Sequence, residues 1–287
     1  MSRFSLALAL IAALTTASQD MAPPAPKATA RPLAPGDRTE VKIESTFELD
    51  IVSSSDQDPD AKVTRQLSYA RTMECSQVVQ SVAENGVPTL RVSVSSARLQ
   101  RSGTNIAPVT EASEIENQSY LVTKTEKGRV VKAENGDIAP ADAAGLGAWE
   151  DLSALLPKEE PKEGATWTVD AAAIAAFISI PDLPTPTGTF EAKVESIADG
   201  KTTVVFSGSI EGKTVKGFDT KLKIAEGRAV FDMAKGRPAS LTLTGSLEAA
   251  KDIHQKVSRQ KELRQVEEKV GSVTVTSRKL EVRAEFR

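Results

Sequence analysis

Alternation of apolar and polar residues with a period of two runs through most of this chain, and it restricts the fold more than any other feature. Val41, Ile43, Phe47, Leu49 and Ile51 share one parity, Val63, Leu67, Tyr69, Met73 and Cys75 a second set, and Leu90, Val92 and Val94 a third. A segment patterned this way has one packed face and one wet face as a strand, and it has no continuous apolar stripe as a helix. The pattern returns at Trp167 and Val169, at Phe190, Ala192 and Val194, at Val204 and Phe206, at Leu222 and Ile224, and at Leu241, Leu243 and Leu247. The last run holds Val273 and Val275, then Leu280, Val282, Ala284 and Phe286, so its parity changes near Ser277 and predicts a β-bulge there. Turn signals separate the runs at Ala83-Glu84-Asn85-Gly86, Asn135-Gly136, Asp199-Gly200 and Lys235-Gly236. Gly and Asn tolerate the positive φ that tight hairpins need. The fold class that follows is mainly β, with long antiparallel strands forming curved sheets or a half-barrel.

The order of these pieces recurs, which predicts two similar β halves, residues 37–138 and 164–287, descended from a duplication. Gly36-Asp37-Arg38 leads into Val41 much as Gly164-Ala165-Thr166 leads into Trp167. Residues 69–94 with their Asn85-Gly86 turn parallel residues 190–206 with Asp199-Gly200, and Glu126-Lys127-Gly128-Arg129-Val130-Val131 matches Ala225-Glu226-Gly227-Arg228-Ala229-Val230. A helical connector, residues 139–163, joins the halves. Within it Leu146, Trp149, Leu152 and Leu155 or Leu156 stand about three apart, one stripe of a short helix that plugs or caps a sheet. Residues 170–177 are alanine-rich and predict a further helical turn or two before Pro181 and Pro184. Residues 248–270 fit neither period cleanly. We read them as the ends of two long strands joined by a polar hairpin, with a solvated helix as the alternative.

Ahead of the strands, a basic head (Arg3), an apolar run from Phe4 to Leu14 and the small residues Ala17 and Ser18 have the layout of a secretory signal peptide, residues 1–18. The run is far shorter than the roughly 20 residues of a membrane span, so the expectation is an exported protein, periplasmic or secreted and soluble, with no transmembrane span after cleavage. Residues 19–36 carry Pro23, Pro24, Pro26, Pro32 and Pro35 among small and polar residues, a composition suited to a disordered linker. Cys75 is the only cysteine, so no intramolecular disulfide supports the fold and the cleavage point has no thiol for lipid attachment. The formal net charge of −3 lacks the concentrated positive surface that nucleic acid requires as a partner.

Catalytic and metal-binding patterns fail one by one. His254 is the single histidine and sits among Lys251, Asp252 and Lys256, an exposed setting for a general base. One cysteine and one histidine are too few for a zinc site. Asp56-Gln57-Asp58-Pro59-Asp60 opens like a calcium loop, but Ala61 stands where Gly is needed and Leu67 where the closing Glu belongs. Gly212-Lys213-Thr214 lacks its upstream glycine, since Ser207 occupies that position. Ser258 and Lys261 have acylating-serine spacing without companion motifs. No catalytic, cofactor-binding or metal-ligating set emerges, and no cofactor is expected. A pair of carboxylates acting in a hydrolase on an envelope or extracellular substrate is the one enzymatic alternative left, although nothing in the sequence selects the pair.

The signal, the proline-rich segment, Pro35-Gly36-Asp37 before the first strand, the Leu155-Leu156-Pro157 to Gly164-Ala165-Thr166-Trp167 re-start and the repeated Gly-Arg strand beginnings resemble secreted bacterial envelope domains of unknown function built of long antiparallel strands. That resemblance implies a non-enzymatic envelope protein. A more distant similarity, carried by the helix around Trp149, is to periplasmic half-barrel lipoprotein carriers, in which a curved sheet closes over a helix and shelters an acyl chain. The expected function is therefore binding of a partner envelope protein or an apolar ligand on a curved sheet, with Trp149, Leu152, Leu155 and Phe177 as the candidate ligand-binding residues. A cleft rimmed by those four points to lipid, whereas a filled core there and an exposed strand edge point to protein.

Overall fold

Each tight turn joins two antiparallel neighbours, and the hairpins add up to a single sheet. The computed structural model describes residues 32–287 apart from residues 85, 126–127, 136–142, 144, 173–174, 176, 178–182, 184, 215 and 260–263. Its strands are β1 (Arg38–Ser55), β2 (Asp58–Val82), β3 (Pro88–Gly103), β4 (Ile106–Ala112), β5 (Ser119–Thr125), β6 (Gly128–Ala133), β7 (Thr166–Asp170), β8 (Thr189–Ala198), β9 (Lys201–Lys213), β10 (Asp219–Asp232), β11 (Arg237–Arg259) and β12 (Arg264–Phe286). At the β8–β9 turn both Asp199 and Gly200 take positive φ, 52° and 70°, as a two-residue hairpin turn demands.

Across the sheet the order is β6-β5-β3-β2-β1-β12-β11-β10-β9-β8-β7, with β4 paired to β3 beside β5. The chain thus meanders outward from β1, crosses through the connector, and meanders back until β12 lies against β1. The seam runs from Val41↔Phe286 to Ser55↔Gly271. The sheet stays open, because β6 and β7 are its two end strands. The two halves therefore continue into one another as one sheet. Strand lengths fall from 18 and 25 residues in β1 and β2 to 6 in β6, then rise from 5 in β7 to 23 in both β11 and β12. Long strands meet at the seam and short ones lie at the ends, so length is mirrored about the seam rather than repeated. The Gly128/Gly227 correspondence likewise sets the start of β6 beside the middle of β10.

The bulge expected near Ser277 is present. Glu48 faces Lys279 and Leu49 faces Ser277, which leaves Arg278 as the extra residue. The Ser277 hydroxyl accepts the Leu247 N–H at 2.6 Å, where the β11–β12 register is interrupted, so the irregular backbone donor keeps a partner. Residues 248–259 and 264–270 are strand, and β11 and β12 remain paired to Arg259↔Arg264, with residues 260–263 outside the described residues.

One buried apolar cluster draws on both halves and the connector, from Val41, Cys75 and Val92 through Trp149 to Phe190, Ile210, Leu243 and Val282. Its members share one face of the sheet, called the inner face below. At the β9–β10 step the Phe206 ring lies against Gly227, where an added Cβ would stand 2.4 Å from the ring carbon Cζ. Phe206 in turn meets Phe190 edge-on at 5.8 Å. Among the described residues no helix is long and apolar enough to cross a membrane.

Candidate ligand-binding cleft

The connector stripe recurs every three residues, and the structure realises it as a 3₁₀ helix, Ala148–Leu155. Three residues per turn stack positions 149, 152 and 155 on one line, with Leu146 ahead of the Gly147 cap. Leu146, Trp149, Leu152 and Leu155 are at most 1% exposed. Gly147 caps the N-terminus at φ 73°, and a Cβ there would lie 3.1 Å from Val122, so the helix presses closely onto β5. Trp149, Leu152 and Leu155 therefore fill the core rather than rim a cleft. Phe177 does line a cleft, and Leu146 joins it there. Within residues 170–177 the Ala175 N–H donates to the Ala171 carbonyl, the bond of a helical turn.

Polar side chains hold the helix in place, and sequence reading missed them. Gln77, only 1% exposed on β2, accepts the Trp149 indole N–H at 2.6 Å and donates its own amide N–H to the Glu150 carboxylate. Asp151 accepts from Arg129 of β6 at 2.6 Å and from Lys124 of β5 at 2.8 Å. Desolvation pushes the Glu150 carboxyl above its ordinary value, opposed by the Gln77 hydrogen bond and the charge of Arg237. Two carboxylates do converge in a groove, lined also by Leu33, Lys124, Arg129 and Pro238. Asp151 is committed to two cations and Glu150 to an amide, which is the geometry of a clamp. The available signal was an Asp-Glu pair interrupting an apolar stripe, since charges there must be paired or pay for burial.

Beside the helix lies a cleft of about 200 Å³ lined by Ile43, Phe47, Tyr69, Met73, Leu99, Leu146, Phe177 and Val282, with Ser45, Gly145 and Arg71. Arg71 is the one charged residue of that lining among the described residues. Below the cleft the inner face continues without the helix. In register across the strands follow Val109, Arg101, Tyr69, Phe47 and Leu280, then Ile106, Gly103, Leu67, Leu49 and Ser277. The next rows place Arg65, Ile51, Val275 and Ala249 together, then Val63, Ser53, Val273 and Lys251. Val63, Ile106, Val109 and Ile253, between 38% and 54% exposed, all belong to this stretch of the inner face. The opposite face carries Glu48, Asp50, Ser54, Gln66, Ser68, Thr274 and Thr276.

The rejected motifs fall where their chemistry is unsupported. Cys75 is buried, and loss of solvation pushes its thiol up to about 12. His254 is exposed on β11 opposite Lys269. Asp56 and Gln57 form the β1–β2 turn while Asp58 to Asp60 begin β2, and no cluster of three metal-ligating side chains occurs among the described residues. Ser258 lies in β11, and Lys261 is outside the described residues. No protein-family model matches this chain, and no curated protein sequence matches it.

Proposed function

We propose that this is a non-catalytic exported envelope protein, periplasmic or secreted, that binds an elongated apolar ligand on the inner face of its curved sheet. The observation that carries the reading is that the apolar inner face outlasts its plug. The 3₁₀ helix covers the upper part, and beyond the cleft at its edge the register continues into a strip of Leu49, Ile51, Leu67, Val273 and Val275, all half-buried rather than buried. A water-exposed apolar strip costs roughly 25 cal/mol for each Å² left uncovered, and an occupant recovers that energy. The cleft is below the roughly 300–1,000 Å³ of sites that enclose a compact ligand, so it suits the end of a narrow chain whose remainder lies along the strip.

Mass spectrometry of an organic extract from protein purified out of its native envelope tests this. A lipid with a long hydrocarbon chain, recovered near one per protein, is the expected result, and a clean extract from protein that still takes up no added amphiphile overturns it. A partner polypeptide laid along β4 is the second reading, favoured by that strand's uniformly exposed residues and by Ile106 and Val109 at its edge. Val109→Asp would abolish partner binding if that reading is the correct one.

A further inference from the structure

β7 closes one side of the sheet with a free edge, and that edge is complementary to itself. We infer that it pairs with β7 of a second copy of this chain, antiparallel about a two-fold axis through Thr168. The Ala171 N–H donates to the Gly188 carbonyl and the Ala165 carbonyl accepts from the Val194 N–H, and these two bonds bracket the β7–β8 ladder. With Trp167 opposite Ala192 and Val169 opposite Phe190, the bonds to β8 run at the odd-numbered residues. The backbone N–H and C=O groups of Thr166, Thr168 and Asp170 therefore point away from the sheet, and no described group pairs with them. The Trp167 indole N–H, enclosed and without an acceptor among the described residues, marks the same strand as incomplete in a single chain. Other free edges are guarded: β4 loses a donor at Pro108, and β6 carries Arg129 and Lys132. β7 has no proline, no cationic side chain and no register shift.

Pairing centred on Thr168 sets Thr168 against Thr168 of the copy and Thr166 against its Asp170. These residues are exposed on the outer face, so the contacts are Thr–Thr and Thr–Asp hydrogen-bonding pairs. On the inner face the same register sets Trp167 against Val169 of the copy, an aromatic–β-branched pair, and the two-fold axis makes that pair twice. Lys193 lies beside Thr166 on β8 and stands two strand spacings, about 9.5 Å, from Asp170 of the copy, within reach of its long side chain. The two Glu191 residues stand three spacings apart, about 14 Å, beyond the roughly 8 Å screening length of physiological salt. A strand this short offers far less than the roughly 20–30 residues a side of a stable interface, so the dimer is weak, with a Kd of about 10–100 μM. An axis perpendicular to the sheet leaves both inner faces on the same side.

Sedimentation velocity of the purified full chain, from about 1 μM to about 1 mM, should show a monomer passing to a dimer across that range. Thr168→Pro removes an outward-facing donor and no bond to β8, so it should weaken association at least about tenfold with an unaltered urea midpoint. Lys193→Glu should weaken it about fivefold, and adding Asp170→Lys should restore it. Thr168→Cys brings two thiols together on the axis, with Cα atoms about 5.5 Å apart and within disulfide reach, and should link the copies under mild oxidation. Thr242→Cys, equally exposed but on the interior strand β11, should not. A chain that stays monomeric to about 1 mM overturns the inference. So does a dimer that Thr168→Pro leaves intact or that Thr168→Cys fails to link.

Discussion

The same strands build two regions of opposite character. At the Val41–Phe286 end of the seam, the inner face meets the 3₁₀ helix and most of its apolar side chains are buried, Val41, Cys75, Val282, Ala284 and Phe286 among them. Toward the Ser55–Gly271 end, from about 26 to about 46 Å along β1, the same parity continues with Leu49, Ile51, Val273 and Val275 half-buried and Val63 54% exposed. Strand pairing extends through both regions, interrupted by the bulge at Arg278 and the β11–β12 register shift between Thr244 and Glu248. The difference is the plug, which shows that the sheet is held together by its ladder and stabilised by what covers it. An arm that keeps its apolar face without a cover is suited to binding.

That contrast can be broken from either side. The largest effect is expected in the plug. Trp149→Ala removes the bulkiest fully buried side chain and strands the Gln77 amide oxygen, and should cost about 4 kcal/mol in urea denaturation. Asp151→Asn leaves Arg129, 9% exposed, without its counter-charge and should cost about 3 kcal/mol, less if Lys124 alone were lost because that lysine is 62% exposed.

Glu150 gives a smaller effect that depends on pH. Its folded-state carboxyl titrates above its ordinary 4.5, so between that value and the raised one the folded protein holds a proton that the unfolded chain has released. Its contribution to stability therefore falls as pH rises through that window. Glu150→Gln keeps an acceptor for Gln77 and should be more stable than the parent at neutral pH, with the difference vanishing below about 4.5. Parallel melts at pH 4 and pH 7.5 measure it. The smallest effect is expected on the arm. Ile51→Thr should change the urea midpoint by no more than about 0.5 kcal/mol in equivalent stability while weakening binding of a long-chain ligand. A large loss of stability there would erase the distinction between the regions.

How much of this was readable in advance follows the range of each interaction. Strand parity is local, so Val41 to Ile51 and Leu280 to Phe286 identify their strands, and the break at Ser277 marks its bulge. The three-residue stripe through Trp149 specifies a buried helix face, yet it carries no information on what lies opposite. Placing Trp149, Leu152 and Leu155 around a ligand was the step the stripe alone could not support. Gln77 looks like any polar residue in a strand, and only the return of the connector, some 70 residues later, brings Trp149 and Glu150 to it. Arg71 is equally silent in sequence, because its place in the cleft depends on β1, β3 and β12 together with the connector. The seam between β1 and β12 joins the two ends of the strand-bearing chain, and no local pattern announces it.

The central claim is that the inner face beyond the plug is an open apolar surface for an extended chain. Photo-crosslinking with a fatty acid that carries a diazirine along its chain, followed by peptide mapping, tests it most directly. The account predicts labels at Phe47, Tyr69 and Val282 around the cleft and at Ile51 and Val275 along the arm. Labels confined to the outer face, at Val52, Thr274 or Thr276, would contradict it.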